Sequence, residues 1–192
     1  DVYQNYIAGR WVPAKSGRTF ENTDPANGEP LGTYPRSAPE DVEAAVIAAA
    51  SSADSWRHTP APHRGDILAR AAQALVRNKE DIARSMTREM GKVIKEARGD
   101  VQEGIDMVEY SAGEGRRLFG QTTPSELPHK LAMTYRSPIG VVAAITPWNF
   151  PLAIPTWKIG PALVAGNTVV LKPSQYTPEA AFHLVKALEE AG

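Results

Sequence analysis

Two short polar runs hold the residue types that bear on chemistry in this chain. Thr146-Pro147-Trp148-Asn149-Phe150-Pro151 contributes a hydroxyl, an amide and two aromatic rings, and Lys172-Pro173-Ser174-Gln175 contributes a cation, a hydroxyl and a second amide. Each run follows an apolar segment, Gly140 to Ile145 and Thr168 to Leu171. Between them lie enough residues for a crossover helix, which predicts two parallel strands. Ligands of such sheets bind outside the carboxyl ends of the strands, so both runs are expected on one edge, which marks a site and suggests a nucleotide. Asn149 by itself reads most simply as a turn residue capping the next helix. The chain has no cysteine, which excludes disulfides and thiolate metal sites. His58, His63, His129 and His183 lack ligand-like spacing.

The elements that must hold these runs are legible in the rest of the sequence. The crossover helix extends to about Ala165 and stops at Gly166; Pro151 suits its start, and Pro155 and Pro161 are expected to bend it. The strand from Gly140 to Ile145 is apolar without alternation, as for a strand covered on both faces. Upstream, Asn5 to Val12 reads as a hairpin turning at Ala8-Gly9, Thr19 to Asn22 as a strand, and Asp24 to Gly28 as a further reversal. Ser37 and Glu40 have capping-box spacing, and Val42, Ala45, Val46 and Ala49 share one face of the helix that follows. A second helix carries Ile67, Leu68, Ala71, Ala72 and Leu75, and a third carries Ile82, Met86 and Met90 between Asn78 and Gly91. The fourth and longest carries Val93, Ala97, Val101, Ile105, Val108 and Ala112. Residues 121–137 change character: Pro124 and Pro128 bracket a polar turn, and Lys130 to Arg136 alternate as a half-exposed lone strand. Such an arm needs a partner for its edge, and a second subunit is the natural one. The expected division is 1–120 for the upstream strands and helices, 121–137 for the arm, and 138–192 for the strand–helix–strand–helix unit.

A chain of 192 residues with 42% apolar and 22% charged residues is ordinary for a globular protein. A formal net charge of -1 leaves no electrostatic footprint for nucleic acid, and no run approaches the roughly 20 apolar residues that span a bilayer. With no signal-like N-terminus, a cytoplasmic location is the expectation. The glycine fingerprint of common dinucleotide folds and a Tyr-x-x-x-Lys pair are both absent, which disfavours a short-chain reductase.

The run Thr146 to Pro151, the run Trp157-Lys158-Ile159-Gly160-Pro161-Ala162-Leu163-Val164-Ala165-Gly166-Asn167-Thr168, and Leu171-Lys172-Pro173-Ser174 together resemble the aldehyde dehydrogenase superfamily, and the resemblance extends over essentially the whole chain. It implies an α/β fold: the start of a Rossmann-like cofactor domain, with N-terminal hairpins and helices and a protruding β arm, incomplete without a catalytic domain. It also implies oxidation of an aldehyde to a carboxylic acid with NAD or NADP through a cysteine thioester that a glutamate-activated water hydrolyses. Asn149 matches the oxyanion donor and Lys158 a lysine of charge relay. Ile145, Thr146, Pro147, Trp148, Lys172, Ser174 and Gln175 match cofactor-binding positions, and Phe150, Ala153 and Trp157, spaced to share a helix face, match the lining of the aldehyde tunnel. Gln175 departs from the glutamate of NAD-preferring members; a neutral amide there removes repulsion of a 2′-phosphate, so NADP is expected to be tolerated. The nucleophilic cysteine and the general-base glutamate have no match, so the chain reads as the N-terminal portion of such an enzyme, inactive alone. The alternative is a truncated paralogue acting as a nucleotide-binding or assembly module. The runs Met86 to Lys92 and Ser125 to Pro128 are similar to bacterial semialdehyde dehydrogenases. The implied partners are a small aldehyde and, in the full-length enzyme, one or three further copies of the chain.

Overall fold

The computed structural model describes residues 1–192. Four short strands come first: β1 (Asn5–Ile7), β2 (Arg10–Val12), β3 (Thr19–Thr23) and β4 (Pro30–Pro35). They pair as two antiparallel hairpins, β1 with β2 and β3 with β4. Such ribbons cannot bury two faces of their own. Their aromatic side chains instead stack on each other and on the last helix: Tyr3 lies 4.3 Å from Tyr34 and 4.8 Å from Phe182, and Trp11 lies 5.1 Å from Phe182.

Helices α1 (Pro39–His58), α2 (Ala61–Arg77), α3 (Lys79–Met90) and α4 (Ile94–Glu114) follow. The start of α1 differs from the expected capping box by one residue. Asp41, not Glu40, reaches back, its carboxylate accepting the Ala38 N–H at 2.8 Å and the Lys15 N–H at 2.8 Å. Ser37 lies outside the helix and donates to Asn5 Oδ1. The exposed face of α1 carries Val42, Val46 and Ile47, while Ala44, Ala45, Ala48 and Ala49 are partly buried. Small residues there let α1 lie close to the sheet, so the expected apolar face holds for Ala45 and Ala49 but not for the two valines. α3 ends as the sequence indicates: Gly91 adopts φ 73°, a left-handed conformation that glycine takes without a Cβ clash.

Residues 121–137 form a hairpin, not a lone strand: β5 (Thr122–Thr123) pairs antiparallel with β6 (Ala132–Met133). Only Ala132 and Met133 of the Lys130–Arg136 stretch are regular strand, and Leu127, Leu131, Met133 and Tyr135 are exposed.

The remainder is β7 (Val141–Ile145), α5 (Ala153–Val164), β8 (Thr168–Lys172) and α6 (Pro178–Ala191). β7 and β8 are parallel, in register from Val141↔Thr168 to Ile145↔Lys172. Alternation on β8 separates two faces: Thr168 Oγ1 donates to Ala49 of α1, whereas Val169 and Leu171 pack against the main core. That core is one cluster of 18 buried residues from α2, α3, α4, α5 and α6 and the turn before α5. The expectation that β7 is covered on both faces fails on one of them. α1 lies chiefly over β8, so Val141 is 36% and Ile145 73% exposed, while Ala144, on the core side, is buried. Pro155 falls in the first turn of α5, where its missing N–H is no loss, and only Pro161 is interior. Arg64 binds the α5 and α1 C-terminal ends together, donating to the carbonyls of Val164 and Thr59.

Glu89, at the end of α3, caps α6. Its Oε1 accepts the Glu179 N–H at 2.8 Å and the Asn22 side-chain amide at 2.7 Å. Burial outweighs these donors and pushes its carboxyl up to about 8 from the ordinary 4.5. The folded state therefore holds this proton more tightly than the unfolded chain, so the stabilisation is complete below about pH 4.5 and is lost as the pH rises through 8. Glu89→Gln is expected to flatten the decline in stability over that window by on the order of 2 kcal/mol, as urea denaturation of the whole protein at a series of pH values will show.

Candidate functional site

Parallel pairing continues one step past the strands: the Thr146 N–H donates to the Lys172 carbonyl at 3.2 Å. The two polar turns therefore leave the sheet side by side, as the sequence predicts. Thr146 is buried, and its Oγ1 has no hydrogen-bond partner within the chain. Ile145, Pro147, Trp148, Lys172 and Gln175 are exposed along this edge. Trp148 meets Tyr176 edge-on at 6.1 Å, linking the two turns across the edge. Ser174 is buried, and its Oγ accepts the Tyr176 N–H at 3.2 Å, so it shapes the second turn from within.

The first turn then crosses from the sheet edge to α5. Asn149 is exposed. Phe150 and Trp157, both half-exposed, stack at 6.3 Å. Phe150 precedes α5 instead of lying on it, yet its carbonyl accepts the Ile154 N–H at 3.0 Å and so continues the helical path. Ala153 does not share that surface: it is 0% exposed, at the first position of α5. Lys158 is exposed on α5.

Two residues outside both polar runs hold this turn. Lys92 and Asp100 form an ion pair at 3.0 Å with side chains 9% and 0% exposed. Asp100 Oδ1 accepts the Ala153 N–H at 2.9 Å, capping α5. The Lys92 ammonium donates to the Asn149 main-chain carbonyl at 2.6 Å and stands 4.3 Å from the centre of the Phe150 ring. Burial raises the Asp100 carboxyl; the Ala153 N–H and Lys92 oppose that shift. The signal was present: Asp100 interrupts the apolar stripe of α4 between Ala97 and Val101, where an acid is costly unless paired. Close approach makes the contact possible, since a Cβ on Gly104 of α4 would meet the Leu152 side chain at 3.1 Å.

The arrangement supplies a neutral amide on a gripped turn, an aromatic pair beside it, and a cation and amide on the neighbouring turn. The aldehyde dehydrogenase family pattern matches residues 11–192. The chain is 44% identical, over its whole length, to the alpha-ketoglutarate semialdehyde dehydrogenase of Haloferax volcanii, of which it covers 40%. An E. coli NADP-dependent enzyme superposes with a TM-score of 0.97 at 40% identity, covering 99% of this chain and 40% of that one. The succinate-semialdehyde dehydrogenase of Burkholderia pseudomallei superposes with a TM-score of 0.96 at 41% identity, covering 99% and 39% respectively. The chain thus spans about 40% of the length of these relatives. With this α/β architecture and a family match over nearly all its residues, the chain belongs to the aldehyde dehydrogenase family.

Proposed function

We propose that this chain is the cofactor-binding and oxyanion-stabilising part of an NAD(P)-dependent dehydrogenase that oxidises a small semialdehyde to the acid. The observation that carries this is the pairing of Thr146 with Lys172, which sets the Asn149 turn beside the Lys172–Gln175 turn on one sheet edge. The nucleophilic cysteine and the general-base glutamate lie outside these residues in this reading, so residues 1–192 alone are inactive. The semialdehyde assignment leans on the relatives, the Haloferax volcanii and Burkholderia pseudomallei enzymes both acting on semialdehydes.

Asn149 does its work as a thiolate adds to the aldehyde carbon and the carbonyl oxygen takes up negative charge. Its side-chain amide donates a hydrogen bond to that oxygen and, being neutral, gives up no proton at working pH. Phe150 and Trp157 wall the approach to the charge, while the buried Ala153 starts the helix that carries Trp157. Lys158 serves charge relay from the exposed side of α5.

The edge fits a nicotinamide dinucleotide: the Thr146 hydroxyl is buried without a partner, and the exposed Lys172 and Gln175 face the same edge. When bound, the nicotinamide supplies the acceptor for the aldehyde hydride. Ile145, Thr146, Pro147 and Trp148 would line the cofactor's floor, Lys172 and Gln175 would contact its adenosine ribose, and Ser174 sets the shape of that turn. Support for NADP use comes from the neutral Gln175, which leaves Lys172 free to attract a 2′-phosphate, and from the E. coli relative. The arm of β5 and β6, with Leu131, Met133 and Tyr135 uncovered, is read as the contact through which copies of the whole protein form dimers or tetramers.

In the whole protein, Asn149→Ala is expected to lower kcat/KM for the aldehyde about 100- to 1,000-fold, or about 3–4 kcal/mol, with cofactor affinity intact; steady-state kinetics and fluorescence titration check this. NADP is expected to work within about tenfold of NAD, and Gln175→Glu to lower its efficiency selectively. An NADP efficiency thousands of times poorer than that with NAD would sink the cofactor reading.

A further inference from the structure

The Lys92–Asp100 pair has no part in the chemistry proposed above, yet it is the most deeply buried ion pair in the chain. Removing two charges from water is expensive, and an apolar pair of similar volume commonly does as well for stability. What the pair touches gives it another use. Pro147, Trp148 and Asn149 enter no main-chain hydrogen bond with other backbone groups. The hydrogen bond on the Asn149 peptide comes from Lys92, at 2.6 Å. The same ammonium reaches Asp100 at 3.0 Å and faces the Phe150 ring at 4.3 Å. Asp100 in turn holds the Ala153 N–H. Three points within five residues, 149, 150 and 153, are thus gripped by one pair anchored at the beginning of α4.

We propose that Lys92 and Asp100 are positioning residues for Asn149, holding its turn so that the side-chain amide already points to where the aldehyde oxygen will carry charge. This rests on the reading of Asn149 as the oxyanion donor. A donor of that kind is effective because it does not reorganise when charge develops. An otherwise unbonded turn would have to order itself at that moment, and an error of about 1 Å in such a group costs up to about 100-fold in rate. Lysine suits the position because its ammonium carries three donors, enough to serve the carboxylate, the carbonyl and the ring face together. A guanidinium is planar and directs its donors into one plane.

The test is a mutant cycle in the whole protein. Lys92→Met is expected to lower kcat/KM for the aldehyde by about tenfold or more, chiefly through kcat, with cofactor affinity unchanged. The same substitution in the Asn149→Ala background is expected to cost under about threefold, because the group being positioned is gone. Lys92→Gln, which keeps a donor for the Asn149 carbonyl, is expected to recover part of the loss; it also serves if Lys92→Met fails to fold. Equal losses in the two backgrounds, or none in either, would overturn the inference while leaving Asn149 as donor. A negligible effect of Asn149→Ala with a large one for Lys92→Met would overturn the donor assignment, and the inference with it.

Discussion

The parallel register of β7 and β8 is the constraint on which the rest depends. Because Ile145 pairs with Lys172, the chain leaves both strands at the same level, and the two chemically equipped turns emerge as neighbours. A shift by one residue would exchange the faces of every side chain on β7 and bring Ala144 out of the core. The register is held by packing on both sides of β8: Thr168 bonds to α1, and Val169 and Leu171 join the cluster formed by the helices. The helical body is therefore what aligns the edge.

That body also reaches the site through charge. α4 is built as an apolar stripe that packs on α2 and α5, and a single acid within it, Asp100, becomes the cap of α5. Burying that acid is tolerable because Lys92 neutralises it and the Ala153 N–H completes its hydrogen bonding. Glu89 repeats the logic at α6, with backbone and side-chain amides in place of a cation, and its carboxyl rises to about 8. Two buried carboxyl groups thus start the two helices of the strand–helix–strand–helix unit. One is compensated by charge, and the other holds its proton more tightly than in the unfolded chain.

Apolar side chains are uncovered in three places on the body. Ile145 and Val141 lie bare on one face of β7, Val42, Val46 and Ile47 on α1, and Leu131 and Tyr135 on the arm. The chain spans about 40% of the length of these relatives.

Much was legible in the sequence because it rests on local physics. Helical spacing in Leu68, Ala71, Ala72 and Leu75 marks a buried face whatever packs on it, Gly91 ends its helix by its own backbone preference, and the crossover length makes β7 and β8 parallel. The runs through Asn149, Lys158 and Lys172 carry the family resemblance in their residue types alone. The misses share a different cause. Spacing pointed to Ser37 and Glu40 for the α1 cap, but the same spacing fits Ala38 and Asp41, and the Asp41 carboxylate also accepts the Lys15 N–H from 26 residues away. Alternation could not show that α1 lies chiefly over β8 and leaves Val141 and Ile145 uncovered. Most of all, Lys92 lies 57 residues from Asn149. No periodicity links such positions; only the packing of α4 against α5 brings the ammonium to the turn.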